Sequence, residues 1–385
     1  MTDIKREIAS VFEEIAQGIE SGSFAKSVKI AVPGVGSEHG EQNVMAACLE
    51  AARDGIEVIY IGTLEAEGIE TVYADCADDC LKEMEKLLNA GKADAAVAMH
   101  YPFPIGVATV GRVVAPATGQ SYFLATTTGT AATDRVEAMV KGAIAGIATA
   151  KASGIENPSV GILNLDGARQ TEIILKKLSD NGYPIAAARS KRADGGVVMR
   201  GNDVLLGSQD VLVTDSLTGN VLVKMLSAYT SGGSYETVGE GYGPGVGEAM
   251  SGIVLIASRA SGSSLIAGAI RYAAAMAKGD LVNVYKKEME LARKAGLTEI
   301  LEERRSKSAK QETDEEVAAP PTEVVTFEIS GIEVLDLDDA VNKLWREKIY
   351  ARSGMGCTGP VVLVSEANSE KALELLRKAG YVSED

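Results

Sequence analysis

The chain has 385 residues, enough for two or three domains, and its many small apolar residues with only 5% aromatics suit close helix-on-sheet packing rather than an all-β design. Its 54 acidic and 38 basic side chains give a formal charge of −16, a field that repels phosphate polymers and anionic membrane surfaces. Nucleic acid and membrane are set aside as partners on that ground. A small anion such as inorganic phosphate is not, because a pocket answers to its nearest groups.

Apolar spacing predicts an N-terminal helix over 4–19, ending near Gly22. A strand follows at 28–32, then a turn containing Ser37-Glu38-His39-Gly40, a helix over 43–54 and a strand at 57–61, which together make a βαβ unit. Further strands are expected at 93–99, 121–125, 159–165, 211–214 and 252–257, separated mostly by helical periodicity. The fold class is therefore α/β, with a largely parallel, doubly wound sheet over residues 1–300 whose ligands sit beyond the strands' carboxyl ends. Residues 301–323 carry Glu302, Glu303, Arg304, Arg305, Glu315, Glu316 and Pro320-Pro321, and read as a solvated linker. Beyond it, a strand at 324–329, a helix over 337–350, a strand at 361–365 and a helix over 369–379 closed by Gly380 predict a small β-α-β-α module, 324–385.

The four cysteines, Cys48, Cys76, Cys80 and Cys357, lack paired zinc spacing, and residues 1–10 lack the apolar core of a secretory signal. A reduced, cytoplasmic protein without a metal or bound cofactor is expected. Cys76 and Cys80 would share one helical face, with only His39 and His100 to complete a nitrogen-rich site. Cys357 lies in Gly354-Met355-Gly356-Cys357-Thr358-Gly359-Pro360, where glycines permit close approach to a sulfur and expose amide N–H groups to a developing oxyanion. Lys348 and Arg352 are close enough in sequence to favour its thiolate if they turn inward. A tight turn before a strand accounts for the same residues, and both readings stand at this point.

Several strand ends carry small polar residues. Asp215-Ser216-Leu217-Thr218-Gly219-Asn220 opens a helix, where free N–H groups, Gly219 and the side chains of Thr218 and Asn220 suit an anion; simple N-capping by Asp215 or Asn220 explains them equally well. Thr126-Thr127-Thr128-Gly129-Thr130 is expected as a turn after the 121–125 strand, with capping to explain Asp134 and Glu137 but not the threonines. Ser261-Gly262-Ser263-Ser264 repeats the pattern, with Arg259 beside it. Residues 242–247, rich in glycine, read as a flexible loop, and Gly34-x-Gly36 is too short for a dinucleotide fingerprint. His39 and His100 each follow a strand, where acid–base work and an ordinary polar loop residue are both open readings.

In order, the stretches 28–52, 93–111, 157–166, 215–224 and 242–274 resemble the phosphate acyltransferase family of bacterial phospholipid synthesis. Ser37-Glu38-His39-Gly40 is similar to its Gly-Asp-His-Gly turn, 215–220 to Asp-Gly-Phe-x-Gly-Asn, and 260–264 to Ala-His-Gly-Ser-Ser. Ser216, Leu217 and Ser261 replace the family's glycine, phenylalanine and histidine, and the lost histidine argues against long-chain acyl transfer. With the Gly-Met-Gly-Cys-Thr-Gly segment included, the whole chain resembles alpha subunits of component C of glycine/sarcosine/betaine reductase complexes. That resemblance implies acceptance of a carboxymethyl group from a selenoprotein component, an acetyl thioester on Cys357, and release of acetyl phosphate by inorganic phosphate as co-substrate. It also implies a ketoacyl-synthase-like beta subunit as partner; an oligomer is expected besides. His39, Thr128, Asp215, Thr218, Gly219, Asn220, Ser261, Ser263 and Ser264 are the phosphate- or acyl-binding candidates, and Gly356, Thr358 and Gly359 those for the oxyanion. The alternatives are a stand-alone phosphate acyltransferase using an acyl-CoA or acyl-carrier thioester, and a non-catalytic scaffold for the beta subunit.

Overall fold

The computed structural model describes residues 12, 15, 16, 28–191, 195–311, 318–332, 336–356 and 359–382. The helix expected over 4–19 falls mostly outside them; Phe12, Ile15 and Ala16 are helical.

Strands β1 (Lys29–Pro33), β2 (Glu57–Gly62), β3 (Glu70–Tyr73) and β4 (Ala95–Ala98) are parallel, with helix α1 (Glu41–Arg53) between β1 and β2 and α2 (Ala77–Asn89) between β3 and β4. Alternation along the strands explains both covered faces. Ile30, Val32, Val58 and Tyr60 pack in one core with Val44 and Cys48 of α1, while Ala31, Ile59 and Ile61 pack with Cys80 and Met84 of α2.

Next come β5 (Val107–Val114), β6 (Ser121–Thr130), the long buried helix α3 (Arg135–Ala152), β7 (Ser159–Leu163) and α4 (Ala168–Asp180). Then follow β8 (Ala186–Ala187), β9 (Val198–Met199), α5 (Gly201–Leu206), β10 (Val211–Val213) and α6 (Ser216–Ala228). The first domain is completed by β11 (Gly243–Val246), β12 (Ile253–Ile256), α7 (Ser263–Lys278), α8 (Leu281–Lys294) and α9 (Leu297–Gln311). One 12-stranded sheet has the order β3-β2-β1-β4-β12-β11-β5-β6-β10-β7-β8, with β9 also on β7. Phe123, Ala125, Val211 and Val213 face the α3 side, and Tyr122, Leu124 and Leu212 face Val223 and Leu226 of α6.

The sheet is parallel except at β12/β11, β11/β5 and β5/β6. Three reversals leave its two parallel halves running in opposite directions. The registers Ile256↔Gly243, Gly245↔Thr109, Val110↔Ala125 and Ala125↔Val213 bring the carboxyl ends of β12 and β10 to one level. The two halves thus run toward the middle of the sheet from opposite sides.

Several expectations are corrected. Residues 242–247 are no flexible loop: β11 is a fully buried strand. Its glycines answer to crowding, since a Cβ at Gly243 would overlap the Val110 carbonyl and one at Gly245 the Phe103 ring. Residues 126–130 form no turn either; they continue β6 along β5 to Thr130↔Val107, as β-branched residues favour. The first part of the expected linker, to Gln311, is helix α9. Two of its charges are docked on the first domain while Glu302 and Glu303 face solvent: Leu301 is buried, Arg304 Nη1 lies 2.9 Å from Asp134 Oδ1, and Arg305 pairs with Glu137. β3, β5, β8 and β9 carried no sequence signal strong enough to place them.

The C-terminal module is β-α-β-β-α rather than β-α-β-α. Strands β13 (Phe327–Ser330), β14 (Ala351–Gly356) and β15 (Gly359–Val364) form an antiparallel sheet of order β13-β15-β14, with helices α10 (Leu337–Arg346) and α11 (Ser369–Lys378). Helix α10 stops short of 350, and Gly354, Met355 and Gly356 are strand residues paired with 359–361. Ile329, Leu344, Val362, Val364, Ala372 and Leu376 supply the module's own core. It meets the first domain where Asp336 Oδ2 accepts from Gln170 Nε2 (2.6 Å), and Arg304 Nε donates to Gln170 Oε1 (3.0 Å).

Candidate functional site

Helix α6 organises the site. Asp215 caps it, accepting from Thr218 N (2.8 Å) and from Thr218 Oγ1 (3.0 Å), so Asp215 and Thr218 are tied to each other. Gly219 is pressed against the Thr126 carbonyl oxygen, with no room for a Cβ between them. Asn220 caps nothing; its Nδ2 donates to the Thr127 carbonyl oxygen at 3.1 Å. Thr214 Oγ1 donates to the Thr126 carbonyl oxygen at 3.0 Å, completing the attachment of α6 to the end of β6.

Among the threonines of β6, Thr127 is wired inward. Thr127 is fully buried; its Oγ1 donates to the Tyr242 carbonyl oxygen (2.6 Å) and shares a hydrogen bond with Thr109 Oγ1 (2.6 Å), while Thr128 N donates to Thr109 Oγ1 (2.9 Å). Beside them a cleft of about 220 Å³ is lined by Thr126, Thr130, Thr133, Arg135, Asp215 and Ser216, among others. Arg135 leans on Asp166 at 3.4 Å, in the turn that leads into α4, four residues before Gln170, where the C-terminal module docks. Burial raises the Asp336 carboxyl in that contact above its ordinary range, against the Gln170 hydrogen bond and with Asp339 and Asp166 nearby.

A second cluster forms where the turns after β1 and β12 meet. Glu38 N donates to the Arg259 carbonyl oxygen (2.9 Å), His39 Nε2 lies 3.3 Å from the Ala260 carbonyl oxygen, and Asn43 Nδ2 donates to that of Ser261 (3.0 Å). The His39 ring is edge-on to Tyr235 at 5.6 Å between centroids. Ser261 is fully buried, its hydroxyl without a partner among the described residues. Gly262 caps α7 without a side chain, Ser263 is half-buried, and Ser264 Oγ donates to the Thr237 carbonyl oxygen at 3.2 Å. Arg259 is exposed.

The candidates therefore fall into two groups, Thr128 with Asp215, Thr218, Gly219 and Asn220, and His39 with Ser261, Ser263 and Ser264. Helix α6 joins the groups: Asn220 holds Thr127, and Lys224, one turn of about 5.4 Å further on, reaches Glu236 and Ser258. The sequence reading missed Lys224, Glu236, Thr109 and the Tyr242 carbonyl. Only Lys224 carried a signal, its four-residue spacing from Asn220. Gly356 and Gly359 pair as the last rung of β14 and β15, and Cys357 and Thr358 lie outside the described residues. Cys76 and Cys80 do not act together: Cys80 is buried with Sγ donating to the Ile61 carbonyl oxygen (3.4 Å), and Cys76 is exposed beside Asp75 and Asp79. Among the described residues no helix is long and apolar enough to cross a membrane.

Residues 28–363 match the family described as "Fatty acid synthesis protein". The chain is 52% identical over 385 residues, all of both chains, to "Glycine/sarcosine/betaine reductase complex component C subunit alpha" of Peptoclostridium acidaminophilum. It is 30% identical over 237 residues to "Phosphate acyltransferase" of Thermus thermophilus, covering 51% of this chain and 70% of that one. A solved branched-chain phosphotransacylase from Enterococcus faecalis superposes with a TM-score of 0.45 at 15% identity, over 65% of this chain and 99% of that one. By its full-length likeness and its match over 28–363, the chain belongs to the fatty acid synthesis protein family, together with component C alpha subunits of glycine/sarcosine/betaine reductase complexes.

Proposed function

We propose that this chain is the acetyl-phosphate-forming subunit of an amino-acid reductase complex, in which an acetyl thioester on Cys357 is cleaved by inorganic phosphate. The reading is supported by the 52% identical relative and by a phosphate acyltransferase relative that covers 51% of this chain. The observation that carries it is the anchoring of α6 to β6 by Asn220 and Thr214 beside a cleft of about 220 Å³, several times the roughly 30 Å³ of one water.

In the proposed step, an oxygen of HPO₄²⁻ attacks the thioester carbonyl. A C–O bond forms, the C–S bond breaks, the sulfur leaves with the phosphate's proton as Cys357 thiol, and acetyl phosphate departs as a dianion. No oxidant or reductant enters. Holding both reactants supplies orientation, and N–H donors aimed at the tetrahedral oxyanion contribute about 3 kcal/mol each where they act. A ketoacyl-synthase-like beta subunit and a selenoprotein component would deliver the two-carbon unit.

Brief exposure to radiolabelled acetyl phosphate tests the reading: label enters the full-length chain and is absent from Cys357→Ala. Undiminished labelling of that variant refutes it. Acyl-CoA-dependent phosphorolysis that survives Cys357→Ala without a partner would point to a stand-alone phosphate acyltransferase, and a chain inert toward acetyl phosphate with arsenate would be a scaffold.

A further inference from the structure

We propose that Lys224 is the oxyanion contact of this site and that Glu236 is the residue that positions it. Lys224 Nζ lies 2.8 Å from Glu236 Oε1 and 3.5 Å from Ser258 Oγ. The pair is unequal in its surroundings, with the lysine side chain 51% exposed and the glutamate side chain 2%. A buried carboxylate is tolerated where a cation compensates it, so Glu236 pins the ammonium from behind and leaves its outer face to solvent.

The pinned charge stands beside a buried hydroxyl and a free helix amino terminus. Glu236 and Ser261 are bridged through their backbones, and the buried Ser261 hydroxyl has no partner among the described residues. Ser261 immediately precedes Gly262, the cap of the 16-residue helix α7, which contributes no side chain; the Ile266 N to Gly262 O bond leaves the N–H groups of the first turn for a ligand. An ammonium, an unengaged hydroxyl and a helix amino terminus together fit a phosphate or acyl-phosphate oxyanion. The choice of phosphate rests on the function proposed above; the arrangement of groups does not.

The test is titration of the full-length protein with inorganic phosphate, followed by calorimetry and ³¹P line broadening. Lys224→Met should weaken binding about tenfold or more, the scale of losing a charge-assisted contact, with Lys278→Met, at the far end of α7, as the unaffected control. Glu236→Gln should weaken it less, raise KM for phosphate with little change in kcat, and be rescued by Glu236→Asp; should Glu236→Gln not fold, Glu236→Asp and Lys224→Met decide. Phosphate binding by Lys224→Met equal to that of the unaltered chain, or no phosphate binding by either, overturns the proposal. A chain that binds phosphate through Lys224 yet never takes acyl label on Cys357 upholds this site and refutes the thioester reading.

Discussion

Gly219 packs so tightly against the carbonyl oxygen of Thr126 that the first turn of α6 has no space for a methyl group there. The composition of 215–220 suggests that this glycine makes room for a ligand, but the room is already filled by β6. Gly219→Ala should therefore push α6 off the strand end, costing about 1–3 kcal/mol as overpacking does and breaking the Asn220 to Thr127 bond. Urea unfolding measures the first effect, and phosphate titration the second. An alanine variant as stable as the parent would show that α6 gives way without cost.

The thiols should separate by accessibility. Burial pushes the Cys48 thiol up to about 12, and burial raises that of Cys80 as well, despite the Val35 backbone hydrogen bond, whereas Cys76 is exposed. Iodoacetamide at pH 8 should alkylate Cys76 and spare Cys48 and Cys80 in the native protein, as peptide mass mapping would read. In the proposed role, Cys357 is alkylated too, and acetyl phosphate protects it. An adduct on Cys48 before unfolding would contradict the packing described.

Acid should loosen the junction between α9 and α3. Burial alone would raise the carboxyls of Asp134 and Glu137. The Glu137 N–H and Arg304 at Asp134, and Lys141 and Arg305 at Glu137, outweigh it and hold both below the usual carboxylate range. With folded values depressed, the unfolded chain binds more protons in that window, so stability is complete above the ordinary carboxylate range of about pH 4 and is lost as pH falls through the lowered values. Urea midpoints from pH 7 to pH 3 should decline more gently in an Arg304→Ala, Arg305→Ala double variant than in the parent. Equal acid slopes would remove these carboxylates from the account.

The strand joining the two halves of the sheet should be intolerant of side chains. Gly243 has φ 86°, and an added Cβ would overlap the Val110 carbonyl. Gly243→Ala combines a left-handed backbone with overpacking, so a loss of more than about 2 kcal/mol is expected. Thermal unfolding checks it: an unchanged midpoint would mean that β11 is not held as described.

Parallel strands β1 and β10 were legible because their apolar runs, Val28-Lys29-Ile30-Ala31-Val32 and Val211-Leu212-Val213, are too short for a helix and too apolar for a surface loop. β11 was not, because Gly-Pro-Gly-Val has a turn's composition and its strand conformation is imposed by Val110, Phe103 and the neighbouring strands. The threonine run failed for a related reason: hydroxyls suggest a surface turn, yet Thr127 finds partners in Thr109 and Tyr242, distant in sequence. Helix α9 was hidden by its charges, whose partners lie on α3 and at its cap. At the site, the residue types were visible and their assignments were not. Glu236, in a stretch of serine, glycine and tyrosine, gives no sign of its burial beside Lys224.

Arg304 moors two structures at once. Its Nη1 holds Asp134, the cap of the helix behind the cleft, while its Nε holds Gln170, the berth of the C-terminal module. Casting off that single guanidinium slackens the cleft's rear wall and the module together, so the two share one line even though they fold around separate cores.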